Sequence, residues 1–422
     1  MVTDKLTFTH NFLEELDKSS GKASFMPAGE IGRALQYLEE HGIPNAKHED
    51  YKYCNIEAFL RKEFKAIDGK ELSVADLKKD HFVKEAYNIY VVNGKLSAES
   101  ETPEKGSLSS IDKASADILK AHLGKYAPAN TDAIIALNAA YADRGFFIRI
   151  SSVVEKPIVI HHITSTEGTC FLNVRNLIVV DKNAQATITE INYPASGKCF
   201  KNSVTEIYVG EHAHCNHTMV QNAGDLNHSV NTTKAHQETY SNYTNNVFIF
   251  SGALVRNNLS TAIDGQFAEA HLNGLFVTNG TQNVDNHTLV DHLKPNCQSN
   301  ELYKGIANGK SSATFNGQIF VERDAQKTNA YQSSKNILLS NDATVNAKPE
   351  LEIYADDVKC SHGTSTGKVD ENALFYLKSR GIGEENARKL LLHAFAHEVI
   401  GAIKTESVKE LVIELFEQSL AD

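Results

Sequence analysis

The chain has no tryptophan. None of its apolar runs approaches the ~18 residues that a membrane helix needs. Basic side chains are in the minority, with 42 Lys and Arg against 53 Asp and Glu and a formal charge of −11. That balance argues against a general nucleic-acid binder, which shows a basic footprint. The opening segment, Met1-Val-Thr-Asp-Lys-Leu-Thr-Phe-Thr-His10, lacks the basic-then-apolar layout of a secretory leader. The six cysteines, at 54, 170, 199, 215, 297 and 360, include no Cys-x-x-Cys pair. These absences lead to the expectation of a cytoplasmic protein with reduced thiols, no membrane contact and no nucleic-acid partner. Asn-x-Ser/Thr triplets such as Asn216-His-Thr218 then follow from Asn and Thr abundance rather than from glycosylation.

What is present divides the 422 residues into three parts. Residues 1–145 read as mostly helical. Ile31, Leu35 and Leu38 fall on one helical face, and Gly42 and Pro44 follow as stop signals. Residues 131–141 repeat the helical spacing through Ile134, Ile135 and Leu137. Between them, Tyr87-Asn-Ile-Tyr-Val-Val92 before Asn93-Gly94 predicts a short strand and turn, and the Ser/Glu-rich stretch 98–112 predicts a loop. Residues 146–362 read as many short strands rich in β-branched residues, punctuated by Asn, Gly and Asp. Residues 151–350 hold 26 of the 35 asparagines and only four prolines. Helix-length periodic stretches are missing there, so βαβ units are excluded. The monotony and the turn asparagines favour a solenoid, a mainly β-helical core with irregular rungs, because no strict period is visible. Residues 363–422 return to helix. Asp370 is placed to cap a helix ending at Arg380-Gly381, Glu384 to Ile403 carries one apolar stripe, and Ser407-Val-Lys-Glu410 predicts a capping box for a third helix.

Several clusters could carry chemistry. His212-Ala-His214-Cys215-Asn-His217 is the densest set of ligand types, but alternation on a strand lets at most two of the four share a face. Asp285, His287, Asp291 and His292, with Cys297 downstream, offer Asp-supported imidazoles. Gly305-Ile-Ala-Asn-Gly-Lys-Ser311 is one residue short of a phosphate loop and lies among strands, so it is rejected. Cys360-Ser-His362 follows the alternating segment Pro349–Tyr354. If extension continues, the thiol and the imidazole face the same way, a pair suited to iron or zinc but incomplete as a site. No further enzyme motif appears.

The stretch from Lys348-Pro-Glu-Leu-Glu-Ile-Tyr through Lys359-Cys-Ser-His-Gly363 to Leu374-Phe-Tyr-Leu-Lys-Ser-Arg-Gly381 resembles the signature of the SufB/SufD family, scaffold proteins of iron–sulfur cluster assembly. Phe315-Asn-Gly-Gln-Ile319 and Asn336-Ile-Leu-Leu-Ser340 add to it, as does Glu49-Asp-Tyr-Lys-Tyr-Cys54, where Tyr51 and Cys54 replace the family's Trp and Thr. Within the family the chain is similar to the SufD branch. Lys335 falls about where SufB carries a cysteine, and SufB's N-terminal cysteine motif is missing.

The resemblance implies a right-handed parallel β-helix between helical modules, and a non-catalytic subunit of a SufBCD complex. It implies docking of the SufC ATPase on the C-terminal helices around Phe375, Tyr376, Leu377 and Arg380, and pairing with SufB through the β-helix. It implies His362, with Cys360 beside it, as the metal ligands at that interface. Iron or a cluster would be held there transiently, with no permanent cofactor and with ATP entering only through SufC. Two alternatives from other classes are a secreted-type β-helix enzyme acting on polysaccharides and a free homodimer handling iron. The missing leader and the absence of tryptophan argue against the first.

Overall fold

The computed structural model describes residues 2–19, 23–61, 82–166 and 168–421. Two long sheets dominate it, one of ten strands and one of nine. From Phe146–Ile150 (β4) onward successive strands alternate between the sheets, and each pairs in parallel with the strand two positions on. That is a parallel β-solenoid, as the strand pattern predicts. Strand pairing extends on both sides of residues 146–362. Tyr87–Val92 (β1) pairs in parallel with Ile158–Ile163 (β5), and Lys359–Gly367 (β19) closes the ten-stranded sheet. The expected loop at 98–112 contains a strand, Gly106–Ser110 (β3), antiparallel to β4. Its serines satisfy pairing at the sheet's edge, where apolar alternation is not required.

In-register stacking explains the asparagine richness. Asn231 donates to Asn257 (3.1 Å) and Asn257 to Asn286 (3.2 Å), each buried and each on the next coil. Asn273 similarly donates to Asn246 (3.0 Å). Such amide ladders pair side-chain donors and acceptors that burial would otherwise leave unmatched. Coil length varies, which hides the period: the partners His228 and Leu254 lie 26 residues apart, and Ser312 and Thr344 lie 32 apart.

Alternation along each strand sends one set of side chains into the solenoid and the other outward. The interior core includes Ile148, Ile178, Ile188, Ile207, Leu272 and Phe315. The outward face of the nine-stranded sheet, through Phe171, Leu177, Val179 and Phe200, packs on the N-terminal helices Ala28–His41 and Ala133–Tyr141. The outward face of the ten-stranded sheet, through Val220, Phe248, Leu275 and Ile306, packs on Glu384–Ile400 and Glu406–Ser419. Lys304 clamps the first of these. Its Nζ donates to the Phe395 carbonyl and meets Glu398, both at 2.7 Å.

The caps follow the sequence in part. Asp370 Oδ1 accepts from the backbone N–H groups of Asn372 (2.8 Å) and Ala373 (3.2 Å), and Gly381 ends that helix with φ +85°. The Ser407 capping box does not form. The helix begins two residues earlier than that box requires, at Glu406 after Thr405, which places Ser407 inside the first turn. No helix among the described residues is long and apolar enough to cross a membrane.

Candidate functional site

The solenoid ends on an open coil. β19 is the last strand of the ten-stranded sheet and Thr344–Ile353 (β18) the last of the nine-stranded one, so each presents an edge without a strand partner among the described residues. Cys360 pairs with Ala330 and His362 with Gln332, on Asn329–Leu338 (β17). Ala330 and Gln332 are both buried on the interior side. Cys360 and His362 therefore share the inward face, as the alternation predicts. Their surroundings differ. Cys360 is half-buried against Ala330, Ala355, Leu351 and Val358. Burial pushes its thiol up, partly offset by hydrogen bonding with the Ala330 backbone. His362 is exposed at the rim. The other five cysteines are buried, and all six are free thiols. No group of three or more His, Cys, Asp or Glu among the described residues is placed to hold a metal ion. Two ligand types at an open edge do not by themselves complete a metal coordination sphere.

Beyond the last coil lies the helix Glu371–Ser379. Leu374 anchors it, 4% exposed, while Phe375 and Tyr376 stand 73% and 57% exposed. Arg380 lies over the Tyr376 ring at 5.4 Å and reaches its hydroxyl at 3.3 Å. Leu377 is half-buried. Two large aromatics left in water beside a guanidinium form the kind of patch that interfaces use.

The remaining clusters are taken up structurally. At 212–217 the chain turns at His212 (φ +56°), whose ring stacks on Tyr240 at 4.8 Å. His214 is exposed, whereas Cys215 and His217 point inward. The four side chains are not brought together. Asp285 meets His287 (2.9 Å) and Arg256 (2.5 Å). Burial opposes ionisation of Asp285, but the guanidinium and the imidazole hold its pKa below the usual value. Arg256 also lies 3.9 Å over the Tyr51 ring and donates to the Asp50 carbonyl (2.6 Å), so the cluster fastens the N-terminal module to the sheet. His292 is fully buried on Ser299 (2.9 Å), and Cys297 donates to the Gly265 carbonyl (3.1 Å). Gly305 and Gly309 belong to a strand and the turn after it, with a strand following, so no helix start is present to receive phosphate.

One interior network lies outside the clusters singled out from the sequence. Glu190 accepts from His162 (2.6 Å) and His217 (2.8 Å), and His217 Nδ1 faces Asn245 (2.9 Å). Burial alone would raise the Glu190 pKa, but the two imidazole hydrogen bonds hold it well below the carboxylate range. A glutamate inside the apolar strand Gln185–Asn192 was the available signal.

Comparison with known proteins agrees with this architecture. The SufBD N-terminal region model matches residues 21–160, and the SUF system FeS cluster assembly SufBD core domain model matches residues 162–395. The chain is 29% identical over 392 residues to the iron–sulfur cluster assembly protein SufD of Escherichia coli, covering 92% of this chain and 91% of that protein. It is 30% identical over 418 residues to an iron–sulfur cluster assembly SufBD family protein of Synechocystis, covering 94% and 92%. It is 27% identical over 293 residues to SufD of Bacillus subtilis, covering 68% and 67%. With a solenoid core, helices on both flanks and family models spanning nearly all of it, the chain belongs to the SufBD family of iron–sulfur cluster assembly proteins.

Proposed function

We propose that the chain is a non-catalytic scaffold subunit of a SufBCD-type complex in the cytoplasm, organised as an N-terminal module (1–145), a β-helix core (146–362) and a C-terminal docking module (363–422). The observation that carries this reading is the open last coil, which presents two strand edges without a partner among the described residues and has Cys360 and His362 on its inward face. Such an edge suits addition of a related strand from a SufB-type partner. The partner would supply the ligands that this chain lacks, and iron or a nascent cluster would be bound there as cargo. The Phe375–Arg380 surface would hold the SufC-type ATPase, the only component to bind ATP. A free homodimer through the same edge is what the chain would form without its partner.

The test is co-expression with the SufB- and SufC-type proteins of the same host, purified without oxygen. Phe375→Asp with Tyr376→Asp is expected to lose the ATPase and keep the SufB-type partner. His362→Ala is expected to keep both partners and to lower cluster reconstitution by at least ~10-fold, since loss of even an outer partner of a metal ligand costs about 10–100-fold. Assembly of the wild type should also fall at acidic pH, because imidazole and thiol bind metal only when deprotonated. Equal reconstitution by wild type and His362→Ala would sink the ligand role. Recovery of the ATPase with the double aspartate variant would sink the docking surface.

A further inference from the structure

Behind His362 the solenoid interior holds a column of buried polar side chains. Glu301 on Gln298–Ala307 (β15) pairs in register with Gln332 on β17, and Gln332 with His362 on β19. Each is one strand spacing, ~4.8 Å, from the next. Glu301 and Gln332 are 4% and 3% exposed. Gln332 Nε2 donates to Glu301 Oε2 at 2.6 Å. Gln332 Oε1 is buried without a hydrogen-bond partner among the described residues. With the amide nitrogen committed to the carboxyl, the amide oxygen is left as an unused acceptor. The residue in register on the next coil is an imidazole, which carries an N–H in every protonation state. Room for the amide is provided from the opposite sheet by Gly317, where a Cβ would lie 2.3 Å from Gln332 Nε2.

We propose that Glu301 and Gln332 are positioning residues for His362. The Glu301 carboxyl holds the Gln332 amide, and the Gln332 carbonyl accepts a hydrogen bond from one ring N–H of His362. The other ring nitrogen is thereby left unprotonated and turned to the open face as the ligand atom. The chemistry is general, since a metal-binding imidazole usually donates its second N–H to a fixed acceptor, which sets its tautomer. The inference rests on the ligand role of His362 but concerns the residues behind it.

The experiment uses the full chain with 15N-labelled histidine, the His362 ring signals being identified by their loss in His362→Gln. The wild type is expected to show one dominant tautomer. Gln332→Met and Glu301→Met should both relax it to the mixture of a solvent-exposed imidazole, whereas Glu301→Gln, which keeps an acceptor for the Gln332 amide, should preserve it. In the reconstituted complex the two methionine variants should lower iron binding by ~10-fold, as loss of an outer partner does. Two independent methionine variants are included so that one failing to fold leaves the other informative. A wild-type His362 already in the exposed mixture, or one unchanged in both methionine variants, overturns the relay. These outcomes are separate from failure of the ligand role, which His362→Ala reconstitution reads on its own.

Discussion

Replacing Glu206 by alanine is expected to destabilise the chain by about 3–5 kcal/mol, the magnitude for removing one partner of a buried ion pair. Glu206 and Arg175 are both completely buried. Arg175 Nη2 lies 2.6 Å and Nε 3.1 Å from Glu206 Oε1. The same carboxylate accepts from the backbone N–H groups of Gly124 (2.8 Å), Tyr126 (2.9 Å) and Ala127 (3.1 Å). Arg175 Nη2 closes the loop on the Ala127 carbonyl (3.0 Å). Alanine at 206 would strand a buried guanidinium and three N–H donors in the seam between the sheet and the N-terminal module. Arg175→Met is expected to be milder, because the carboxylate would keep its three backbone donors. Urea midpoints of the two variants check both the size and the order. Equal losses, or a Glu206→Ala loss below about 1 kcal/mol, would mean that the seam admits water and that the ion pair is not what fastens the module.

That seam also shows where sequence reasoning stops. Arg175 and Glu206 are 31 residues apart, and neither lies in a motif. Their meeting depends on register between strands, and register depends on coil lengths that vary from rung to rung. Patterns confined to one element were legible. The Asp370 cap and the Gly381 stop each depend on neighbours within four residues. The strand alternation that put Cys360 and His362 on one face was local too. The same rule separates His214 from Cys215 and His217, and it needed only the left-handed turn at His212 to fix where the strand begins. What lay beyond reach was the third dimension of each column. That Gln332 sits between Glu301 and His362, or that Glu190 collects two histidines from neighbouring coils, follows from stacking, which no window of sequence contains. Asparagine abundance was visible as composition, but its physical cause is the ladder, again a property of stacked coils.

The carboxyl of Glu301 makes the second large prediction, because its burial sets stability against site geometry. Glu301→Gln is expected to leave stability nearly unchanged at pH 4 and to raise it by about 3 kcal/mol at pH 8. Burial pushes the folded pKa of Glu301 up to about 7 from an ordinary 4.5, with the Thr288 hydroxyl and then the Gln332 amide as smaller opposing influences. Below pH 4.5 both folded and unfolded chains hold the proton and nothing is lost. As pH rises from 4.5 to 7 the unfolded chain releases its proton first, so stability falls, and each pKa unit corresponds to about 1.4 kcal/mol. His292 works in the opposite sense. Burial lowers its folded pKa to about 4 from 6.5, so its contribution is complete above pH 6.5 and is lost as pH falls toward 4. In the wild type the two slopes oppose each other between pH 4.5 and 6.5, and Glu301→Gln should uncover the rise caused by His292. Urea midpoints of wild type and variant from pH 4 to 8 give the difference, in which every other titrating group cancels. A difference that does not change with pH would show that Glu301 is not ionising in a dry interior. A difference that grows with pH would identify a carboxyl kept at the expense of stability near neutrality. A buried acid maintained against its own ionisation, and joined through Gln332 to the column that ends at His362, is placed for the open coil rather than for the fold.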